Sequence, residues 1–162
     1  MPRTTLQIGS SDVPQAPNLA RVRLVIASIA GGAATIDEIA EETDISARHL
    51  GYALRAAQTL ALLDGARRPT PAGLALIETD QESAEERAAF RSSIEGSAIL
   101  QAIAPTLLSL TPPTKKVLAG RIEKLTGLST ATAAHRASDL LAWREQVLEP
   151  EPSDAPDAPD VS

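Results

Sequence analysis

The stretch from Thr35 to Gly73, TIDEIAEETDISARHLGYALRAAQTLALLDGARRPTPAG, constrains the fold of this chain most, because two helical periodicities meet there across a three-residue turn. Ile36, Ile39 and Ala40 mark one side of a short helix over Asp37 to Thr43. Asp44-Ile45-Ser46 forms the turn: Ile45 is the apolar residue to be buried between two helices, and Ser46 is a good cap for the next one. The helix from Ala47 to about Leu60 carries Leu50, Ala53, Leu54, Ala57, Leu60 and Ala61 as one apolar stripe. At about 100° per residue, Arg48, Tyr52, Arg55 and Thr59 fall on the opposite face. Two arginines, a tyrosine and a threonine on an exposed helix suit phosphates and base edges in a major groove. Asp64-Gly65, between Leu62-Leu63 and Arg68-Pro69-Thr70, predicts a β-hairpin with Arg67 and Arg68 near its tip.

This order of elements, with Glu38-Ile39-Ala40, Ile45-Ser46 and Thr70-Pro71-Ala72-Gly73, resembles the winged helix-turn-helix superfamily of bacterial regulators over Asn18 to about Thr79. The resemblance implies that the hairpin is the wing, touching the DNA backbone through Arg67 and Arg68. It also implies that the second helix of the motif reads DNA through Arg48, His49, Tyr52 and Arg55. Many winged helices dock on proteins instead, and a stripe such as Arg48 and Arg55 can be a solvated helix face, since fold does not fix function.

With aromatics at only 2% of residues, the core has to be built from Leu, Ile, Val and Ala, which favours packed helices over twisted strands. The expected fold class is therefore mainly α: a winged helix-turn-helix with a small β-hairpin wing, followed by a second helical unit of the same kind. No cysteine occurs, which removes disulfides and zinc–thiolate sites and points to the cytoplasm. The apolar stretch from Leu24 to Ala30 is far short of a membrane span, and the N-terminus lacks a secretory signal layout. Net charge is −6, yet the last residues, EPEPSDAPDAPDVS, hold Glu149, Glu151, Asp154, Asp157 and Asp160 without a base. Setting these aside leaves the remainder within one charge of neutrality, so a local basic stripe can still serve DNA.

Along the chain, residues 1–17 read as a flexible arm, 18–80 as the winged unit, 81–148 as a helical unit and 149–162 as a disordered acidic tail. The first helix is expected from Asn18 to Ala30, with Leu19, Val22, Ile26 and Ile29 on its buried side. Ser83-Ala84-Glu85-Glu86 is a capping box, opening a helix to about Ser93, and Ile94 to Ala104 continues as another. A second helix–turn–helix follows: Thr111 to Thr126 with Val117, Leu118, Ile122 and Leu125 apolar, a Gly127-Leu128-Ser129 turn, then Thr130 to about Leu148. Ile39 and Ile122, Thr43 and Thr126, Ile45 and Leu128, and Ser46 and Ser129 stand at one constant offset, an internal repeat of pattern. The outer face of the second copy carries Ala131, His135, Ser138 and Ala142, with Lys115, Lys116, Arg121, Lys124 and Arg136 around it, so His135, Arg136, Lys115 and Lys116 join the candidate DNA contacts. Residues 90–147 are also similar to helical modules that accompany nucleases and ATPases in bacterial restriction and phage-defence loci, through Leu128-Ser129-Thr130-Ala131-Thr132 and Ala137-Ser138-Asp139-Leu140-Leu141-Ala142-Trp143.

Catalysis finds no support in the sequence. His49 and His135 lie far apart without metal-ligand spacing, no phosphate-cradling or nucleophile motif occurs, and acidic pairs such as Glu85-Glu86 complement helix dipoles. The reading is a DNA-binding protein without cofactor or metal, either a transcriptional regulator or the DNA-docking part of a bacterial defence system. It would bind double-stranded DNA as a homodimer formed partly by Trp143, Val147 and Leu148. The alternative is a tandem winged-helix adaptor that docks on a protein partner, as resembling subunits do in chromosome-organising complexes.

Overall fold

A computed structural model of the chain describes residues 8–9 and 12–148, and its regular structure is helical. In order these are α1 Leu19–Ala30, α2 Ile36–Thr43, α3 Ala47–Thr59, α4 Pro71–Ile77, α5 Ala84–Gly96, α6 Ala98–Ile103, α7 Lys115–Thr126 and α8 Thr130–Val147. Every start is set by a local polar side chain. Asn18, Thr35, Ser46, Thr70, Ser83, Ser97, Thr114 and Ser129 each accept a backbone N–H of the first helical turn. Thr35 and Glu38 complete a reciprocal capping box on α2. Ser97 ends α5 and caps α6, which splits the run expected to continue unbroken from Ile94. Thr114, not Thr111, caps α7, leaving Pro112 and Pro113 outside the helix.

The two turns of the repeat are built alike. Asp44 closes α2 with φ 59° and Gly127 closes α7 with φ 75°, each followed by an apolar residue and a serine cap. Ile45 is buried and Leu128 half-buried beneath these turns. α1 packs on α2, α3 and α4, α7 lies along α8, and α5 reaches α4, α6 and α8. One core cluster runs through all of these, from Leu19, Val22 and Leu50 to Leu140 and Val147, so the segments 18–80 and 81–148 share an interior. Val117 and Leu125, expected on the apolar side of α7, are instead 59% and 40% exposed, and Leu118, Ala119 and Ile122 face α8's side of the core.

The β-hairpin wing does not form. Among the described residues there is no strand, and the 61–70 loop holds a single antiparallel bridge between Leu63 and Pro69. Pro69 has no N–H to extend a ladder. The Asp64 carboxylate instead accepts the N–H groups of Ala66 (2.8 Å) and Arg68 (2.9 Å), folding the loop on itself. Gly65 is not in the left-handed region that a two-residue hairpin turn requires; that conformation falls on Arg67, φ 63°. Thr70 then caps α4 at once, accepting from Gly73 N while donating to Ala61 O at 2.7 Å.

This loop makes Gly73 indispensable. A Cβ there would lie 2.2 Å from the Leu62 carbonyl oxygen, a backbone atom that accepts from Thr70 N at 3.1 Å. Alanine is the better helix former in an exposed helix by about 1 kcal/mol, but here the sign reverses. Gly73→Ala is expected to destabilise by roughly 1–3 kcal/mol in chemical denaturation, as overpacked sites do; a stabilised variant would show that α4 can slide off the loop.

The segment expected as a flexible arm is a packed strap where it is described. Val13 and Ala16 are buried between α3 and α8. Trp143 Nε1 donates to Ala16 O at 2.6 Å, Arg136 to Val13 O at 3.2 Å, and Gln146 Nε2 to Pro17 O at 2.6 Å, while Leu19 N donates to Gln146 Oε1 at 2.8 Å. Residues 1–7, 10 and 11, and the acidic tail 149–162, lie outside the described residues. Trp143 and Val147 are fully buried within their own chain, so the homodimer argued from their exposure loses its basis. Arg144, on the same helix, is half-buried with its guanidinium 3.5 Å from Leu107 O.

Candidate nucleic-acid interface

The exposed side of α3 is the chain's densest group of sequence-predicted site residues. Ser46 opens the helix and its Oγ lies 3.0 Å from His49 Nδ1. Next to His49, Arg48 Nε donates to Tyr52 Oη one turn further along at 3.2 Å, and its guanidinium carbon stands 6.0 Å from the tyrosine ring centroid. That hydrogen bond pushes the Arg48 pKa up, which leaves the side chain a permanent cation. The His49 and Tyr52 rings meet edge to face, with centroids 6.1 Å apart. Arg55, another turn along, pairs with Asp12 of the strap at 3.7 Å. Thr59, expected on this face, is half-buried and bonds the strap through Asp12 O.

These side chains border two adjoining hollows of about 300 and 290 Å³ that share Gln15, Arg48 and Tyr52. One extends past Gly51 to Arg55 under Val13 of the strap; the other reaches Arg21 of α1 and His135 and Asp139 of α8. Together they form a groove along α3, with the strap on one wall and α8 on the other. Arg21, Arg48, His49 and His135 are exposed, Tyr52 is half-buried on the floor, and Asp139 is buried. Burial pushes the Asp139 carboxyl above the usual carboxylate range, against the opposing pull of His135 and Arg136. The groove therefore gathers arginine and imidazole groups around Asp139, whose charge its surroundings disfavour, with the Asp12 carboxylate beside Arg55 at its other end.

Of the residues singled out from sequence, Arg48, His49, Tyr52, Arg55 and His135 come together here. Arg67 and Arg68 are exposed on the 61–70 loop and border a different cleft, between α1 and α2, with Ile29, Ala33 and Ile36. Lys115 and Lys116 are exposed on the first turn of α7 and line none of these hollows. Arg136 is buried rather than outward-facing: it anchors the strap through Val13 O, and desolvation holds its pKa below the usual guanidinium value. Three polar groove residues went unselected in the sequence: Arg21, Gln15 and Asp139. Asp139 stands one turn beyond His135, a helical spacing that could have marked it; nothing local marks Gln15, which reaches the groove only because the strap is anchored.

Among the described residues, no helix is long and apolar enough to cross a membrane, and no group of three His, Cys, Asp or Glu is placed to hold a metal ion. No protein-family model, no curated protein and no solved structure matches this chain.

Proposed function

We propose that the protein binds DNA through the α3 groove, as a transcriptional regulator or as the DNA-docking component of a defence system. The observation that carries this reading is the clustering of Arg21, Arg48, His49 and His135 around Tyr52, in a chain whose net charge is −6. Two arginines with two imidazoles beside them, in an acidic chain, make a local site suited to a polyanion. A second reading, docking on a protein partner, is favoured by exposed apolar side chains on and before α7: Leu110, 98% exposed, in the preceding loop, and Val117 and Leu125 on the helix.

A salt titration separates the two. The variant Arg48→Ala with Arg55→Ala removes exposed side chains whose contacts to Tyr52 and Asp12 are surface ones, so it should cost no more than about 1 kcal/mol of stability. If both touch phosphates, the slope of log affinity against log salt should fall by close to two contacts, about 0.9 each on duplex DNA and about 0.7 on a single strand. A parent protein with no measurable affinity for DNA at low salt would leave protein docking as the function.

A further inference from the structure

The shape of the groove narrows what it can hold. A helix that reads duplex DNA projects from its domain, because the major groove is about 12 Å wide and a helix with its side chains already fills about 10–12 Å. α3 is flanked: Arg48, His49, Gly51 and Arg55 are exposed on its polar side, while Tyr52 between them is recessed and two hollows adjoin it. One wall is the strap, pinned by Trp143, Arg136 and Gln146, and the other is the N-terminal half of α8 with His135 and Asp139. Tyr52, the side chain expected to approach the bases, is recessed to half-burial. A stiff paired strand does not readily bring its base edges between these walls to Tyr52.

An unpaired strand can. Each hollow, at about 300 and 290 Å³, is at the small end of ligand sites. That matches a base with its sugar rather than a helical segment. The Tyr52 ring, the His49 ring and the planar guanidinium of Arg48 offer stacking surfaces, and Arg21 and Arg48 offer phosphate contacts on the exposed rim. Because the two hollows share Gln15, Arg48 and Tyr52, a strand lying along α3 would pass from one to the other over the Tyr52 ring.

We propose that the α3 groove takes a single unpaired nucleic-acid strand, with Tyr52 and His49 stacking on bases and Arg21 and Arg48 holding phosphates. This rests on the DNA-binding reading and goes beyond it, since the strand state is set by the walls and not by the charges. The experiment is fluorescence anisotropy of the full chain with a labelled oligothymidine of about fifteen nucleotides and with a mixed-sequence duplex of equal length, at low and moderate salt. The single strand should bind at least about tenfold more tightly. Tyr52→Leu should weaken it by roughly tenfold or more, in line with the loss of one stacked base, while Tyr52→Phe stays near the parent. His135→Glu, at an exposed position on the far wall, should weaken it as well and serves where Tyr52→Leu fails to fold. A duplex bound as tightly as the single strand overturns the strand assignment and leaves the DNA-binding reading standing; single-strand binding indifferent to both Tyr52→Leu and His135→Glu takes the groove out of both. Binding to neither oligonucleotide overturns both.

Discussion

Truncating Trp143 to alanine is expected to cost the fold about 3–5 kcal/mol, the range for removing a large buried side chain. Trp143 is fully buried on α8, in the same core cluster as Val13, Ala16 and Leu140. The cavity left behind is bounded by helix backbone on one side and the strap on the other, so it can close only by moving one of them. Its indole N–H also donates to Ala16 O at 2.6 Å, and truncation leaves that buried carbonyl without this partner. Trp143→Phe keeps most of the volume and removes the bond, so it should cost less, about 1–3 kcal/mol. The two variants should also part in function: because Trp143 pins the strap that walls the groove, Trp143→Phe should lose affinity for nucleic acid out of proportion to its stability. Urea denaturation read by circular dichroism tests the first part, and a Trp143→Ala variant within 1 kcal/mol of the parent would contradict the packing role.

The second large effect belongs to Arg23. This residue is buried on α1 and fans out to four acceptors: Glu86 Oε2 at 2.6 Å, Thr79 Oγ1 at 3.1 Å, Ile77 O at 3.2 Å and Thr79 O at 2.5 Å. Both charged side chains of the Arg23–Glu86 pair are nearly enclosed, 11% and 13% exposed. The guanidinium thus ties α1 to the end of α4 and the first turn of α5. Removing it leaves Glu86 Oε2 and two carbonyls without their donor, Glu86 Oε1 keeping only the Glu82 N–H, and Arg23→Met should cost about 3–5 kcal/mol, as for other broken buried pairs. Adding Glu86→Leu should recover part of the loss and not all of it, since the Ile77 and Thr79 carbonyls still lack the donor. Full recovery in the double variant would assign the whole cost to the stranded charge; a neutral Arg23→Met would mean that water replaces the guanidinium.

Neither residue announced its place in the fold. In the sequence Arg23 is one more base on an amphipathic helix, and Trp143 reads as either a core or an interface anchor, a choice that its burial decides for the core. Their environments are made by partners remote along the chain: Glu86 and Thr79 for Arg23, Ala16 for Trp143. Arg136 misled for the same reason. A lone arginine near a predicted DNA face suggests a phosphate contact until the strap is seen to cap it. The wing failed differently. Asp64-Gly65 is a real turn signal, but Pro69 denies the ladder a donor and Asp64 spends its carboxylate closing the loop, so the local competition went against the strand.

What the sequence determined by itself is the helical class, the turn geometry of both copies and which face of α3 is polar. These depend on groups within a few residues of one another: a serine or threonine meeting an N–H two or three positions on, an apolar stripe at the helical period, a left-handed residue closing each first helix. Tertiary structure alone decided that the polar face of α3 is the floor of a groove, that residues 12–17 are its wall, and that the two halves share one core. Each of those outcomes hangs on contacts such as Trp143 to Ala16 and Gln146 to Pro17, which form only after residues 16–17 and α8, far apart in sequence, are brought together by burial of apolar surface.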